Sequence, residues 1–87
     1  MHTGIMAFDE SERGWKIWIG KDAFGTATGM SFEICIQHRF YKAIFEEDYY
    51  DWFVTIEDDV NFSLRLVEIY KVQILEKELI PIIDLPF

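Results

Sequence analysis

The class of fold is decided by the stretch Ser31-Phe32-Glu33-Ile34-Cys35-Ile36-Gln37, with His38-Arg39 and Phe40-Tyr41-Lys42-Ala43-Ile44-Phe45 behind it. Its side chains alternate, so that Phe32, Ile34 and Ile36 point to one face of a half-buried strand. His38-Arg39 then predicts a tight hairpin onto the second apolar run. The stretch therefore predicts antiparallel sheet.

Further strands are expected on both sides of this hairpin. Gly20 to Met30 is glycine-rich and reads as a loop. Asp58 to Asn61 predicts a turn. Ser63 to Leu79 could form an amphipathic helix, but its β-branched residues favour a strand through about Ile74. The other predicted strands are Ile5–Phe8, Trp15–Ile19, with Trp15, Ile17 and Ile19 on one face, and Trp52–Ile56.

The 87 residues suffice for one domain. We expect a mainly β fold, a small antiparallel SH3-like or partly open β-barrel of about five to six strands, over residues 1–74. Residues 75–87 are expected to form an apolar C-terminal arm packed on the barrel or on a partner. Because Pro81 and Pro86 cannot donate to a ladder, this arm is an edge strand or an extended segment.

Charge excludes several functions. Sixteen acidic residues against eight basic ones give a net charge of −8, which argues against direct binding of nucleic acid or an anionic membrane. The single cysteine permits no internal disulfide, the N-terminal residues predict no signal peptide, and the apolar stretches are too short to predict a transmembrane helix. The expected location is the cytoplasm.

The acids concentrate between Ala43 and Leu64, where no basic residue occurs. Aromatic residues among carboxylates are typical of a surface that binds a basic protein, although net charge also serves solubility. An antiparallel meander is expected to place Asp9, Glu10 and Glu12 at the end of the barrel opposite the first acidic run. The predicted partner-binding residues are Glu46, Glu47, Asp48, Tyr49, Tyr50, Asp51, Trp52, Glu57, Asp58 and Asp59.

No motif predicts catalysis or a cofactor. Cys35, His38 and His2 are too few for a structural zinc site, which needs about four ligands. The serines lack a Gly-x-Ser-x-Gly elbow, the acidic runs lack calcium-loop spacing, and the lysine between Gly20 and Gly25 matches no phosphate loop. We therefore expect a protein that is not an enzyme and that binds no metal or cofactor.

The order of residues resembles a small uncharacterised β-barrel domain family of Gram-positive bacteria and their mobile elements. The resemblance covers about Gly4 to Ile74. The family's His-Cys-Gly element and its arginine near Ile44 have no counterpart here, and its activity is not established. The segments that carry the resemblance are Gly4-Ile5-Met6-Ala7-Phe8-Asp9-Glu10, Trp15, Gly29, Phe32-Glu33-Ile34-Cys35-Ile36, Phe40, Phe45-Glu46, Trp52-Phe53-Val54 and Val72-Gln73-Ile74.

Small size, clustered acids and the mobile-element resemblance lead to one expected function. The chain is expected to be an acidic inhibitor from a phage or other mobile element, such as an anti-CRISPR protein, that occupies the basic groove of a nucleic-acid-processing enzyme. Three alternatives stay open: an immunity or antitoxin protein that neutralises a basic toxin, a small-ligand-binding barrel, and an oligomer, such as a homodimer, assembled through the C-terminal arm.

Overall fold

A computed structural model describes residues 1–49, 51–57 and 59–82. They form one antiparallel sheet with strand order β7-β6-β5-β4-β8-β1-β2-β3-β9. A short 3₁₀ turn, Glu76–Glu78, lies before the last strand. The strands are β1 His2–Asp9, β2 Gly14–Ile19, β3 Asp22–Gly25, β4 Ser31–Ile36, β5 Arg39–Glu47, β6 Trp52–Ile56, β7 Val60–Ser63, β8 Tyr70–Ile74 and β9 Ile80–Pro81.

The predicted antiparallel β class is confirmed, whereas the predicted barrel type is not. Nine strands replace the expected five to six, and the sheet is open rather than an SH3-like barrel. Two short strands account for part of the difference: β3 lies inside the expected loop 20–30, and β7 begins within the turn expected at Asp58–Asn61. The expected strand over residues 63–74 is β8 only at its end, because residues 64–69 form a loop.

One face of the sheet forms the core. The alternation predicted for β2 and β4 is confirmed, since Trp15, Ile17, Phe32 and Ile34 are buried. Ile36 and Ile19 are partly buried against the same core. The core residues are Met6, Trp15, Ile17, Met30, Phe32, Ile34, Ala43, Phe45, Val54, Ile56, Leu64, Tyr70, Val72 and Ile74.

The sheet curls around this core, because ring contacts join strands that are not neighbours. The rings of Phe8 on β1 and Trp52 on β6 have centroids 5.1 Å apart, and those of Phe62 on β7 and Tyr70 on β8 are 6.1 Å apart. Trp15 on β2 adds a contact of 5.6 Å with Phe8. An aromatic cluster thus packs where the two sides of the curled sheet approach one another.

A turn and a glycine show how local residues shape the pairing of neighbouring strands. The β4–β5 turn consists of Gln37 and His38, one residue earlier than expected, and both have a positive φ, 51° and 70°. A two-residue turn of this kind matches the twist of the flanking strands. Gly4 lies at a close approach between strands, since a Cβ built there would be 2.2 Å from the Trp18 carbonyl oxygen.

The chain after β8 stays in contact with the sheet as far as Pro81. The Ser31 amide donates to Glu78 Oε1 at 3.2 Å, and Leu79 packs against the core. β9 then pairs with β3, where Phe24 opposes Pro81 and Gly25 opposes Ile80. The rest of the predicted arm, residues 83–87, lies outside the described residues. In the described part of the chain, no helix is long and apolar enough to cross a membrane.

Candidate functional site

The loop between β5 and β6 carries the main group of predicted binding residues. Glu47 pairs with Trp52 across the hairpin, and the Asp48 amide donates to the Asp51 carbonyl at 2.9 Å. The Asp51 amide in turn donates to Asp48 Oδ1 at 2.8 Å. These bonds close a short loop from which Tyr49 projects with 95% of its surface exposed. Glu47, Asp48 and Asp51 are also exposed, so three accessible carboxylates lie on the same short loop as Tyr49.

The remaining predicted binding residues do not all join this loop. Glu57 and Asp59 are exposed at the far end of β6. They lie about 16 Å from the β5–β6 loop, which is the length of a strand of five residues with a rise of about 3.3 Å per residue. The Thr55 hydroxyl donates to the Glu46 carboxylate, which therefore lies against the outer side of the sheet. Tyr50 and Asp58 lie outside the described residues.

Trp52 points inward, against the core, and lines a groove. Its half-buried ring packs against Phe8, and Glu10, Arg13 and Leu66 complete a groove of about 360 Å³. Glu10 was expected at the end of the fold opposite the first acidic run, and this prediction is wrong. The β1–β2 turn lies beside Trp52 and hence near the β5–β6 loop, because the curl of the sheet carries the start of β6 toward the end of β1.

The loop of residues 64–69 is a surface that the sequence did not reveal. Leu66, Val67 and Ile69 are 49%, 82% and 63% exposed. The Leu64 amide donates to the Trp52 carbonyl at 2.9 Å, so the loop starts beside the groove. Its β-branched residues favour a strand, and no local pattern in the sequence indicates an exposed loop.

Hydrogen bonds hold the loop in shape at both ends. The Glu68 amide donates to the Arg65 carbonyl at 3.0 Å, which forms a tight turn with Leu66 and Val67 at its tip. The Arg65 amide donates to the Tyr70 hydroxyl at 2.9 Å. The apolar tip is therefore presented by a folded turn.

The β1–β2 turn is organised by Asp9. The Lys16 ammonium donates to Asp9 Oδ2 at 2.7 Å, while the Ser11 hydroxyl and amide donate to Oδ1 at 2.7 and 2.9 Å. The hydrogen bond from Lys16, then those from Ser11 and the Glu12 amide, hold the pKa of the Asp9 carboxyl well below its usual range. The same carboxylate raises the pKa of Lys16. The turn that carries Glu10 and Arg13 to the groove is thus braced by ionic hydrogen bonds.

Other groups considered for chemistry stand apart from this surface. Cys35 is half-buried opposite Phe40, and His38 lies in the adjacent turn. Among residues 1–49, 51–57 and 59–82, no three His, Cys, Asp or Glu side chains are grouped so as to hold a metal ion. A second groove of about 260 Å³ lies on the outer side of the sheet, with Glu33, Lys42 and Gln73 in its lining.

No family model matches the sequence, and neither a curated protein nor a solved structure is significantly similar to it. The family resemblance, the binding residues and the absence of enzymatic activity therefore stay predictions.

Proposed function

We propose that this protein is a non-enzymatic binding domain that recognises a basic protein through the β5–β6 loop. One observation carries the proposal: Glu47, Asp48, Asp51 and Tyr49 are all exposed on one loop that is closed by its own hydrogen bonds. Exposed aromatic residues are common anchors in protein interfaces, and carboxylates around them select a positively charged partner. A closed loop loses little freedom when it binds, which favours affinity.

In its most specific form, the proposal is an inhibitor encoded by a phage or another mobile element. Its carboxylates would occupy the basic groove of a nucleic-acid-processing enzyme in place of phosphates, as an anti-CRISPR or similar anti-defence protein would. The net charge of −8 supports this form, because it attracts a basic groove over a distance of about 8–10 Å at physiological salt. An immunity or antitoxin protein would use the same charges against a basic toxin, and the identity of the partner separates the two.

The test reverses charge where the loop tolerates it. Glu46 and Asp48 are unsuitable, because each carboxylate accepts a hydrogen bond within the sheet or loop. The double variant Glu47→Lys/Asp51→Lys changes two exposed side chains. A matched control, Asp22→Lys/Glu76→Lys, makes the same change of charge at exposed positions on β3 and in the 3₁₀ turn.

Each immobilised protein is exposed to nuclease-treated lysate of the native host at low and high salt. The wild type and the control are expected to retain a basic protein that high salt releases, and the loop variant is expected to lose it while unfolding at the same urea concentration. The retained protein is then purified, and its nucleic-acid-processing activity is measured with each variant. Equal retention by the loop variant and the control would overturn the proposal.

A further inference from the structure

The sheet has two edges, and they differ in how they are protected. β9 contains Pro81, which cannot donate a ladder hydrogen bond and so blocks pairing. β7 is Val60-Asn61-Phe62-Ser63 and has neither a charged residue nor a proline. Natural edge strands usually carry such residues to prevent pairing with other chains. Within the described part of the chain, β7 pairs only with β6, so its other side is open.

The direction of the free backbone groups follows from the register. The Leu64 amide bonds to the Trp52 carbonyl, and bonded positions alternate along an antiparallel pair. Phe62 and Val60 therefore direct their amides and carbonyls toward β6. The backbone groups of Asn61 and Ser63 point away from it, toward the open side.

The groove above Trp52 opens at the end of this edge. Its lining combines Trp52 of β6 and Leu66 of loop 64–69 with Phe8 of β1 and with Glu10 and Arg13 of the β1–β2 turn. Here the two sides of the curled sheet approach without pairing. A free edge, a groove with two aromatic rings and the exposed tip of loop 64–69 thus form one continuous surface.

We propose that an extended, basic segment of the partner adds as a strand to β7 and places a lysine or arginine side chain in the groove. This inference rests on the proposed function and names the part of the partner that is recognised. The added strand would bond to the backbone of Asn61 and Ser63. Its cationic side chain would lay its apolar stem along Trp52 and Leu66 and bring its charge to Glu10.

Charge decides which occupant fits. The described residues that line the groove carry one base, Arg13, and one acid, Glu10, while exposed carboxylates lie in the adjoining β5–β6 loop, at Asp51, and at the far end of β6, at Glu57 and Asp59. A second copy of this chain would bring a further charge of −8 to the same place. A basic segment is therefore favoured over self-association through β7.

The test uses a capped peptide of alternating arginine and valine as the probe, with a matched peptide of the same sequence N-methylated at every residue. Both carry the same charge, but the methylated peptide has no amide donors. We expect it to bind about tenfold or more weakly, because at least one hydrogen bond is lost and its carbonyls are misaligned. The unmethylated peptide should also slow hydrogen exchange at the Asn61 and Ser63 amides.

Variants of the protein supply the matching evidence. Asn61→Pro and Ser63→Pro each remove a donor that does not bond to β6, and each should weaken binding of the unmethylated peptide about tenfold. Urea unfolding identifies which of the two variants is folded, and the binding measurement is interpreted for that variant. Leu66→Lys should weaken binding, because it removes an apolar contact and adds a positive charge in the groove, while Ile69→Lys, which adds the same charge in the same loop outside the groove lining, should weaken it less.

The outcomes separate this inference from the proposed function. Equal binding of the two peptides, with loss of both in Glu47→Lys/Asp51→Lys, would overturn strand addition and leave the acidic surface as the binding site. If neither the methylated nor the unmethylated peptide binds, strand addition is also overturned. If the lysate partner is retained by the wild type in that case, the proposed function stands without it.

Discussion

Gly4 offers the sharpest test of how the sheet is held together. A Cβ at this position would be 2.2 Å from the Trp18 carbonyl oxygen and 3.0 Å from Cγ1 of Ile19. The first of these is a backbone atom, so rotating a side chain cannot relieve the clash. In Gly4→Ala, β1 must therefore move away from β2 by about 1 Å to reach even a short van der Waals contact.

This displacement should cost close to the upper end of the range for overpacked sites, about 3 kcal/mol. The smaller conformational freedom of alanine in the unfolded chain would return roughly 0.5–1 kcal/mol. The net loss of about 2 kcal/mol is a substantial part of the stability of a domain of 87 residues at about 0.1 kcal/mol per residue.

The measurement is urea unfolding followed by tryptophan fluorescence. With a slope of about 1 kcal/mol per molar urea, Gly4→Ala should lower the midpoint by about 2 M. Gly14→Ala is the matched control: it is also in a strand, and the nearest atom to its built Cβ is 4.0 Å away. The reasoning is wrong if both variants unfold within about 0.5 M of the wild type.

Three further predictions concern turns and loops. Because the fold lowers the pKa of Asp9, its stabilising contribution is complete above its ordinary value of 3.8 and is lost as the pH falls below it. Asp9→Asn should therefore make the urea midpoint less sensitive to pH in acid, and parallel wild-type and variant curves would contradict this. Replacing Gln37-His38 by Asn-Gly, which accepts positive φ at both positions, should raise stability by about 1 kcal/mol in thermal unfolding, and no gain would show that the turn is unstrained. Tyr70→Phe removes the acceptor of the Arg65 amide and should cost about 1 kcal/mol and speed hydrogen exchange at that amide; unchanged exchange would indicate another acceptor.

The sequence was most informative where one strand has one buried face. In β2 and β4 the alternation identified Trp15, Ile17, Phe32 and Ile34 as core residues, because a strand between core and solvent requires a period of two. β3 and β7 were missed for a different reason. Each has only four residues, too few for a period to show, and β3 lies between glycines at positions 20 and 29.

Loop 64–69 shows a limit of residue preference. Leu66, Val67 and Ile69 have the composition of a strand, yet they are exposed in the loop between β7 and β8. Strand propensity measures how well a side chain fits a half-buried pleated surface, and the sheet offers these residues no neighbouring strand. Only the arrangement of the other strands decides whether such a segment pairs in the sheet or stays exposed. The most apolar part of the candidate site was therefore invisible to local patterns.

The position of the groove depends on the curl of the sheet rather than on any single strand. By register alone, the start of β6 and the end of β1 lie at opposite ends of the sheet. Followed across β5, β4 and β8, the pairing puts the start of β6 at the same end as the start of β1, and β1 then runs to the other end. A flat meander would separate them, and the sequence interpretation treated them so. Right-handed twist accumulated over the intervening β5, β4 and β8 brings the Phe8 and Trp52 rings into contact. The acidic β5–β6 loop and the β1–β2 turn, distant in the chain, therefore flank one groove. A surface assembled in this way exists only in the folded sheet, so loss of binding in a variant is evidence about the surface only when that variant unfolds at the same urea concentration as the wild type.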